Sequence, residues 1–423
     1  VLFLTQQFIT LGLRNYLNKK KLLKLLQISN KAPYPANDGS SIAIYNMACG
    51  FIQNNVDLHL LTINTKKHFK ADADIPADFK LKSNYKSIYK NTNTTLIGAV
   101  LNLFSTKSYF VSRFYFKDFE TQLIKTLQQT QFDIIQLEGL FMGVYIDVIK
   151  KYCTSKIVLR AHNVEHLIWE RHLKNETNLF KRWYIGIQTK RLKQFEILTL
   201  NKVDSVISIT NFDKAEFEKL NCTNPIYTCI TGVNVNDYQQ KISEVIKPNS
   251  VFYFASMDWL PNQEAVKWFL DNCWATVYSA VPEAKLIIAG HGMPNSLKHL
   301  NKPNVVIIEN VTNGKLFYQQ HQLMIVPLLS GSGLRIKIIE GMAYGKAIVS
   351  TSVGAEGIDY TNNSNIIIAN DATQFAHSVI ELLQNKSLQL QLQTNATKLA
   401  YQKFDNFKVV AELVNFYNQL LNV

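Results

Sequence analysis

The chain has 423 residues, 47% hydrophobic and 18% charged, with a formal net charge of +13; that length and apolar content exclude a disordered polymer and predict two domains, each with its own core. Five cysteines without a CxxC pair exclude a disulfide framework and a cysteine-based zinc site. The surplus of Lys and Arg is compatible with nucleic acid, anionic lipid or phosphorylated substrates, and equally with a solvated basic surface.

The first residues are apolar but broken by Thr5, Gln6, Gln7 and Thr10, and the basic residues follow them, the reverse of a secretory signal. Residues 1–20 are therefore expected to be an extension. No run of 18 or more apolar residues follows, and a cytoplasmic protein is expected, held at most peripherally at a membrane. From Leu22 onward short β-rich runs alternate with helical patterns: LLKLLQIS, a turn at PYPANDGS, a helix, then VDLHLLTI, FDIIQLE, KIVLRAHN and SVISIT. This alternation predicts an α/β, doubly wound parallel sheet over residues 21–235. The polar stretch from Lys66 to Thr95 reads as a loop excursion, and its Asp72 and Asp74 as a chance DxD pair, because no apolar strand precedes them.

A second series over residues 236–403 runs VFYFAS, KLIIAG, VVIIEN, LMIVPL, AIVST and IIIAN, so a second Rossmann-like sheet is predicted. TGVNVNDYQQKISEVIKPNS between the two series is expected to hold the hinge. Residues 404–423 carry Phe407, Val410, Leu413, Phe416 and Leu420 at helical spacing, and this helix is expected to pack back on the first domain. Two such domains face each other across a cleft, with ligands outside the carboxyl ends of the strands.

The most informative stretch is PLLSGSGLRIKIIEGMAYGKAIVST, from Pro327 to Thr351: strand, glycine-rich loop, helix, glycine stop, strand. Gly331, Ser332 and Gly333 add little bulk, so a phosphate can approach backbone amides at a helix start. Arg335 and Lys337 add two positive charges there, which neutralise a departing diphosphate when no metal does so. Glu340 lies at the border of the buried face formed by Ile336, Ile339, Met342 and Ala343, and either grips the paired hydroxyls of a ribose or pairs with Lys337 on an ordinary surface.

GSGLRIKIIEGMAYGKAIVSTSVGAEGI resembles the signature of the retaining glycosyltransferases of family 4, the glycosyl transferases group 1, which have the GT-B fold. FASMDWLPNQEAVKWF and LRAHNVEHLIWER extend the resemblance, which covers essentially Leu22 to Val423. It implies donor-diphosphate contacts for Arg335 and Lys337, a ribose contact and a part in catalysis for Glu340, and donor contacts from Gly331, Ser332, Gly333, Leu334 and Ser256. On the acceptor side it implies Gly39 and Ser40, in a loop after the first strand, with Asn163 and Glu165 after His162. Gly39 is equally readable as a turn residue. His162 closes an apolar strand and either meets a sugar hydroxyl as a catalytic group or bonds locally to Asn163 or Glu165. His162 and His166 bracket a strand-to-helix junction without a third ligand, so no metal site is read there. One departure is plain: many members carry a second Glu where this chain has Ser332, which leaves the transferred sugar open.

The resemblance implies that the departing phosphate assists deprotonation of the acceptor, without a dedicated protein base or a cofactor. The expected partners are a nucleoside-diphosphate sugar as co-substrate and a glycan or lipid-linked acceptor, in bacterial surface polysaccharide synthesis. Two other readings stand beside it: a same-fold sugar-nucleotide epimerase, and a basic nucleic-acid-binding protein. For the latter no helix-turn-helix, RNP or zinc-finger pattern is present, and no nucleic-acid partner is expected.

Overall fold

A computed structural model describes residues 22–36, 39–239, 246–331 and 333–422. The extension expected over residues 1–20 and Ser332 of the glycine-rich loop lie outside the described residues, as do residues 240–245 of the expected hinge.

The first domain is a seven-stranded, all-parallel sheet in the order β3-β2-β1-β4-β5-β6-β7. Its strands are β1 (Lys24–Ser29), β2 (Asp57–Thr65), β3 (Lys86–Lys90), β4 (Ile134–Glu138), β5 (Lys156–Ala161), β6 (Ser205–Ser208) and β7 (Ile226–Thr228). The central strands β1, β4, β5 and β6 are apolar and buried along nearly their whole length because helices cover both faces. The stretch read as a loop excursion is partly structured: β3 adds to the sheet edge, with Ile63 opposite Ile88. Sequence periodicity misses it because KSIYK is polar and largely exposed, as an edge strand is. Asp72 and Asp74 sit in a 3₁₀ turn where Asp72 pairs with Lys80 at 2.8 Å.

The second domain is a six-stranded parallel sheet, β10-β9-β8-β11-β12-β13, built from β8 (Ser250–Phe254), β9 (Lys285–Gly290), β10 (Val305–Glu309), β11 (Leu323–Val326), β12 (Ala347–Ser350) and β13 (Ile367–Ile368). In both sheets the strand order reverses once, between β1 and β4 and between β8 and β11. That switch point leaves a crevice at the strand ends, where sheets of this kind bind their ligands.

Seven helices matter below. They are α1 (Gly39–Gln53), α2 (Leu96–Leu103), α3 (Tyr109–Ser112), α4 (Glu165–Asn175), α5 (Leu179–Lys202), α6 (Ile336–Ala343) and α7 (Asn406–Leu421). Helix α7 lies on the first domain against α1: a methyl added at Gly50 would overlap the Val410 side chain, and Asn406 Nδ2 donates to Asn46 O at 2.6 Å. Its buried stripe is Val409, Val410, Leu413, Tyr417 and Leu420. Phe407, expected on that stripe, is exposed, while Phe416 stacks on Tyr227 at its border. The chain therefore crosses between domains twice, and the crossings touch: Val233 N donates to Phe404 O at 2.8 Å and Asn406 N to Val233 O at 2.9 Å.

Candidate active site

The loop after β11 turns at Gly331 and Gly333, with φ of +107° and +88°, where a side chain is strained. It delivers Arg335 to the cap of α6 and Lys337 to its first turn. Arg335 is almost fully buried, and its guanidinium carbon lies 5.1 Å from the Trp259 ring centroid. Lys337 Nζ lies 4.8 Å from the Tyr253 ring centroid and donates to Asn262 Oδ1 at 3.1 Å and to Tyr253 OH at 3.4 Å. Each cation thus packs against an aromatic ring, which holds its side chain in one direction.

Across the switch point the loop after β8 supplies Ser256, whose hydroxyl donates to Asp258. Asn262 ties that loop to the cations: its Nδ2 donates to Ser256 O at 2.6 Å while its Oδ1 receives Tyr253 OH at 2.6 Å. One turn into α6, Glu340 sits within an aromatic group formed by Tyr238, Tyr318 and Tyr344, and Tyr238 OH reaches its Oε1 at 3.5 Å. Burial pushes the Glu340 carboxyl up to about 7. Burial, with Arg335 beside it, brings the Lys337 ammonium down to about 7. Burial also lowers Arg335, and Glu356 opposes that.

The facing half comes from the first domain. His162, at the end of β5, bonds through Nε2 to Glu138 Oε2 at 2.6 Å, and its Nδ1 faces Ser40 Oγ, in the first turn of α1, at 3.5 Å. The local partners weighed for it, Asn163 and Glu165, are not the ones it uses. Glu138 ends β4, opposite Ser29 of β1 and Arg160 of β5. Its carboxylate also takes Arg160 Nη1 at 3.1 Å, Gln27 Nε2 at 2.6 Å and Gln136 Nε2 at 2.6 Å. Gly39, exposed, opens α1 rather than forming an isolated turn.

Glu165 opens α4, and Glu196 of α5 caps that helix start by accepting from Glu165 N at 2.9 Å and His166 N at 3.1 Å. His166 Nδ1 also meets Glu196 Oε2 at 2.7 Å, so this histidine belongs to the cap and faces no cleft ligand. Burial and the nearby Glu196 raise the Glu165 carboxyl to about 7.

The halves meet at the glycine loop. Arg171 Nη1 donates across the cleft to Gly331 O at 3.3 Å, and a methyl added at Gly333 would lie 3.1 Å from Asn163 Oδ1. The second domain thus gathers Arg335, Lys337, Glu340, Gly331, Gly333 and Leu334 on one loop and helix, with Ser256 joined to Lys337 through Asn262, and the first domain brings Asn163 to Gly333 and His162 beside Ser40 in the helix that Gly39 opens. Sequence reasoning missed Glu138, Arg160, Tyr238, Trp259 and Asn262. Glu138 and Arg160 carry a usable signal, a charged residue in or closing an apolar central strand; Tyr238 sits in the polar linker and carries none.

Gly331 gives a sharp test of the loop. A methyl there would lie 2.6 Å from Trp259 Cη2 and 2.9 Å from Arg335 Nη2, besides forcing a side chain to positive φ. Gly331→Ala is expected to weaken nucleotide binding by about tenfold or more, read by calorimetry, because both the ring and the guanidinium must shift. Unchanged affinity would show that the loop does not form the ligand wall.

Residues 248–385 match the family model described as Glycosyl transferases group 1. Over 405 residues the chain is 22% identical to an uncharacterised 44.6 kDa protein in the cps region of Klebsiella pneumoniae, covering 93% of this chain and 99% of that one. Among solved structures, Alr3699/HepE from Anabaena in complex with UDP aligns with a TM-score of 0.63 at 12% identity, over 94% of this chain and 100% of that one. Sucrose-phosphate synthase from Thermosynechococcus elongatus aligns with a TM-score of 0.68 at 13% identity, over 95% and 99%. Fold and family match agree: the chain has the GT-B fold, and part of it matches the glycosyl transferases group 1. Its second domain carries the group 1 signature over the matched residues.

Proposed function

We propose that this enzyme moves a sugar from a nucleoside-diphosphate sugar to a glycan or lipid-linked acceptor, with retention of configuration and without a metal ion, in the synthesis of a bacterial surface polysaccharide. The observation that carries the reading is the pair of cations beside the glycine loop: Arg335, buried at the cap of α6 against the Trp259 ring, and Lys337, in the first turn of α6 against the Tyr253 ring. A diphosphate fits there, and the two cations supply the charge neutralisation a divalent ion would otherwise provide. Glu340 then receives the ribose hydroxyls. The relative in a cps region supports the polysaccharide setting, and Alr3699/HepE in complex with UDP supports a nucleotide-sugar donor.

In the reaction the bond from the anomeric carbon to the diphosphate oxygen breaks and a bond to the acceptor oxygen forms. The acceptor proton passes to the departing phosphate oxygen, on the same face, so that no protein base is required. Arg335 and Lys337 hold the charge that develops on the diphosphate. Asn163 faces Gly333 of the glycine loop from the first domain, and the neighbouring His162, oriented by Glu138, is the candidate for meeting a sugar hydroxyl.

Calorimetric titration with UDP, GDP, ADP and their sugars, with and without EDTA, tests this directly. One nucleotide is expected to bind equally well in both buffers, and Glu340→Gln to weaken it by about tenfold. Binding that needs a divalent ion, or no binding by folded protein, would overturn the proposal.

A further inference from the structure

One helix of the first domain, and the start of another, present apolar side chains outward. In α2 the side chain buried against the protein is Asn102, whereas Leu96, Ile97, Val100, Leu101 and the capping Phe104 are 57–90% exposed. At the start of α5, Leu179, Phe180 and Trp183 are likewise exposed. An amphipathic helix ordinarily hides its apolar stripe, so a stripe facing outward lacks its partner.

Polar bonds tie the two helices together. Asn102 Oδ1 receives Gln188 Nε2 at 2.9 Å, and the carbonyls of Asn102 and Leu103 receive Arg191 at 3.0 and 3.2 Å, which clamps α2 onto α5. Tyr109 of α3 completes the clamp, its N–H donating to Gln188 Oε1 at 2.7 Å and its hydroxyl receiving Thr95 N at 3.3 Å. Trp183 lies five residues before Gln188 on the same helix, about 7.5 Å along its axis. Polar side chains thus fix α2 to α5 with its apolar side chains turned outward.

Charge identifies the partner. Residues 91–117 and 177–195 contain no Asp or Glu, and Lys107, Lys181, Arg182 and Lys190 are exposed around the apolar side chains. We propose that this face docks on an anionic phospholipid bilayer, the apolar side chains entering the interface and the basic ones meeting the headgroups. A second copy fits worse, since pairing this face with itself would bring like charges together. Among the described residues no helix is long and apolar enough to cross a membrane, so the contact is peripheral. The face also borders the cleft: Phe110 of α3 stacks at 3.8 Å on Trp169 of α4, the helix whose Arg171 reaches Gly331. An acceptor anchored in that bilayer would stand beside the site.

Flotation of the full chain with phosphatidylcholine vesicles, with and without phosphatidylglycerol, tests the proposal. Wild type is expected to float only with the anionic vesicles. Two variants, Ile97→Ser/Phe104→Ser/Phe180→Ser/Trp183→Ser and Lys181→Glu/Arg182→Glu, are each expected to lower that binding by about tenfold or more. Both change exposed residues and should keep the wild-type affinity for the nucleotide, which separates this result from the donor proposal. Equal flotation of wild type and variants would overturn it. So would a wild-type dimer in vesicle-free buffer that the first variant converts to monomer.

Discussion

Lys337→Met is expected to act in two opposite directions: nucleotide-sugar affinity falls about a hundredfold, while the unliganded protein becomes more stable by about 1 kcal/mol or more. Both follow from one position. Burial and Arg335 bring the ammonium down to about 7 against the pull of the nearby Glu340, and its hydrogen-bonding and ring contacts are a ring, a hydroxyl and an amide oxygen. In the unfolded chain the same group titrates at the ordinary lysine value. Below about pH 7 it is charged in both states and the folded state bears the whole cost. Between 7 and the unfolded value the folded protein sheds the proton and the cost shrinks. The gain from methionine should therefore be largest below neutrality and fade as pH rises. Urea unfolding at several pH values reads that trend, and a variant that loses stability at pH 6 would refute it.

Binding should show the reverse side of the same titration. Above about pH 7 a diphosphate can meet a charged Lys337 only by taking up a proton, so affinity falls by up to about tenfold per pH unit. Glu340, also near 7, must be ionised to accept two hydroxyls, so affinity falls on the acid side as well. A maximum near neutrality is expected for a nucleotide sugar, whose diphosphate keeps its charge through this range. Lys337→Met should remove the alkaline limb and Glu340→Gln the acid one.

Glu138→Gln is expected to cost about 3–5 kcal/mol in urea unfolding, a large effect for one atom exchanged. Arg160 and Glu138 are both fully buried, and removing the carboxylate's charge leaves the guanidinium uncompensated. Burial alone would raise the Glu138 carboxyl, but Arg160, His162 and Gln27 outweigh it and hold the group at about 2. Because this folded value lies below the unfolded one, the stabilisation is complete above the ordinary carboxylate range and is lost as pH falls through about 2. Glu138→Gln/Arg160→Met should recover part of the loss. A single variant within about 1 kcal/mol of wild type would show that the pair does not hold the sheet.

The sheets were legible because their central strands are nearly continuous apolar runs between helical patterns, a signal that needs no tertiary knowledge. β3 and β7 escaped because edge strands are polar and short. Arg335, Lys337 and Glu340 could be read as a group because they are close in sequence on one loop and helix. Their pairing with Trp259, Tyr253 and Asn262 could not, since those lie across the switch point and are brought over only by parallel pairing of β8 and β11. His162 was visible as a residue closing a strand, but its partner is 24 positions away on β4. Spacing along the chain says nothing about neighbours across a sheet.

The seating of α7 on α1 has a consequence for biosynthesis. Residues 39–53 emerge from the ribosome long before 406–421, yet the first domain's surface beneath Val410, Leu413 and Tyr417 stays uncovered until the latter arrive. That domain must wait, partly open, through synthesis of the entire second one, during which its exposed apolar patch is a target for chaperones. Ribosome-bound fragments ending before residue 404 should accordingly be protease-sensitive in the first domain, and the full chain resistant.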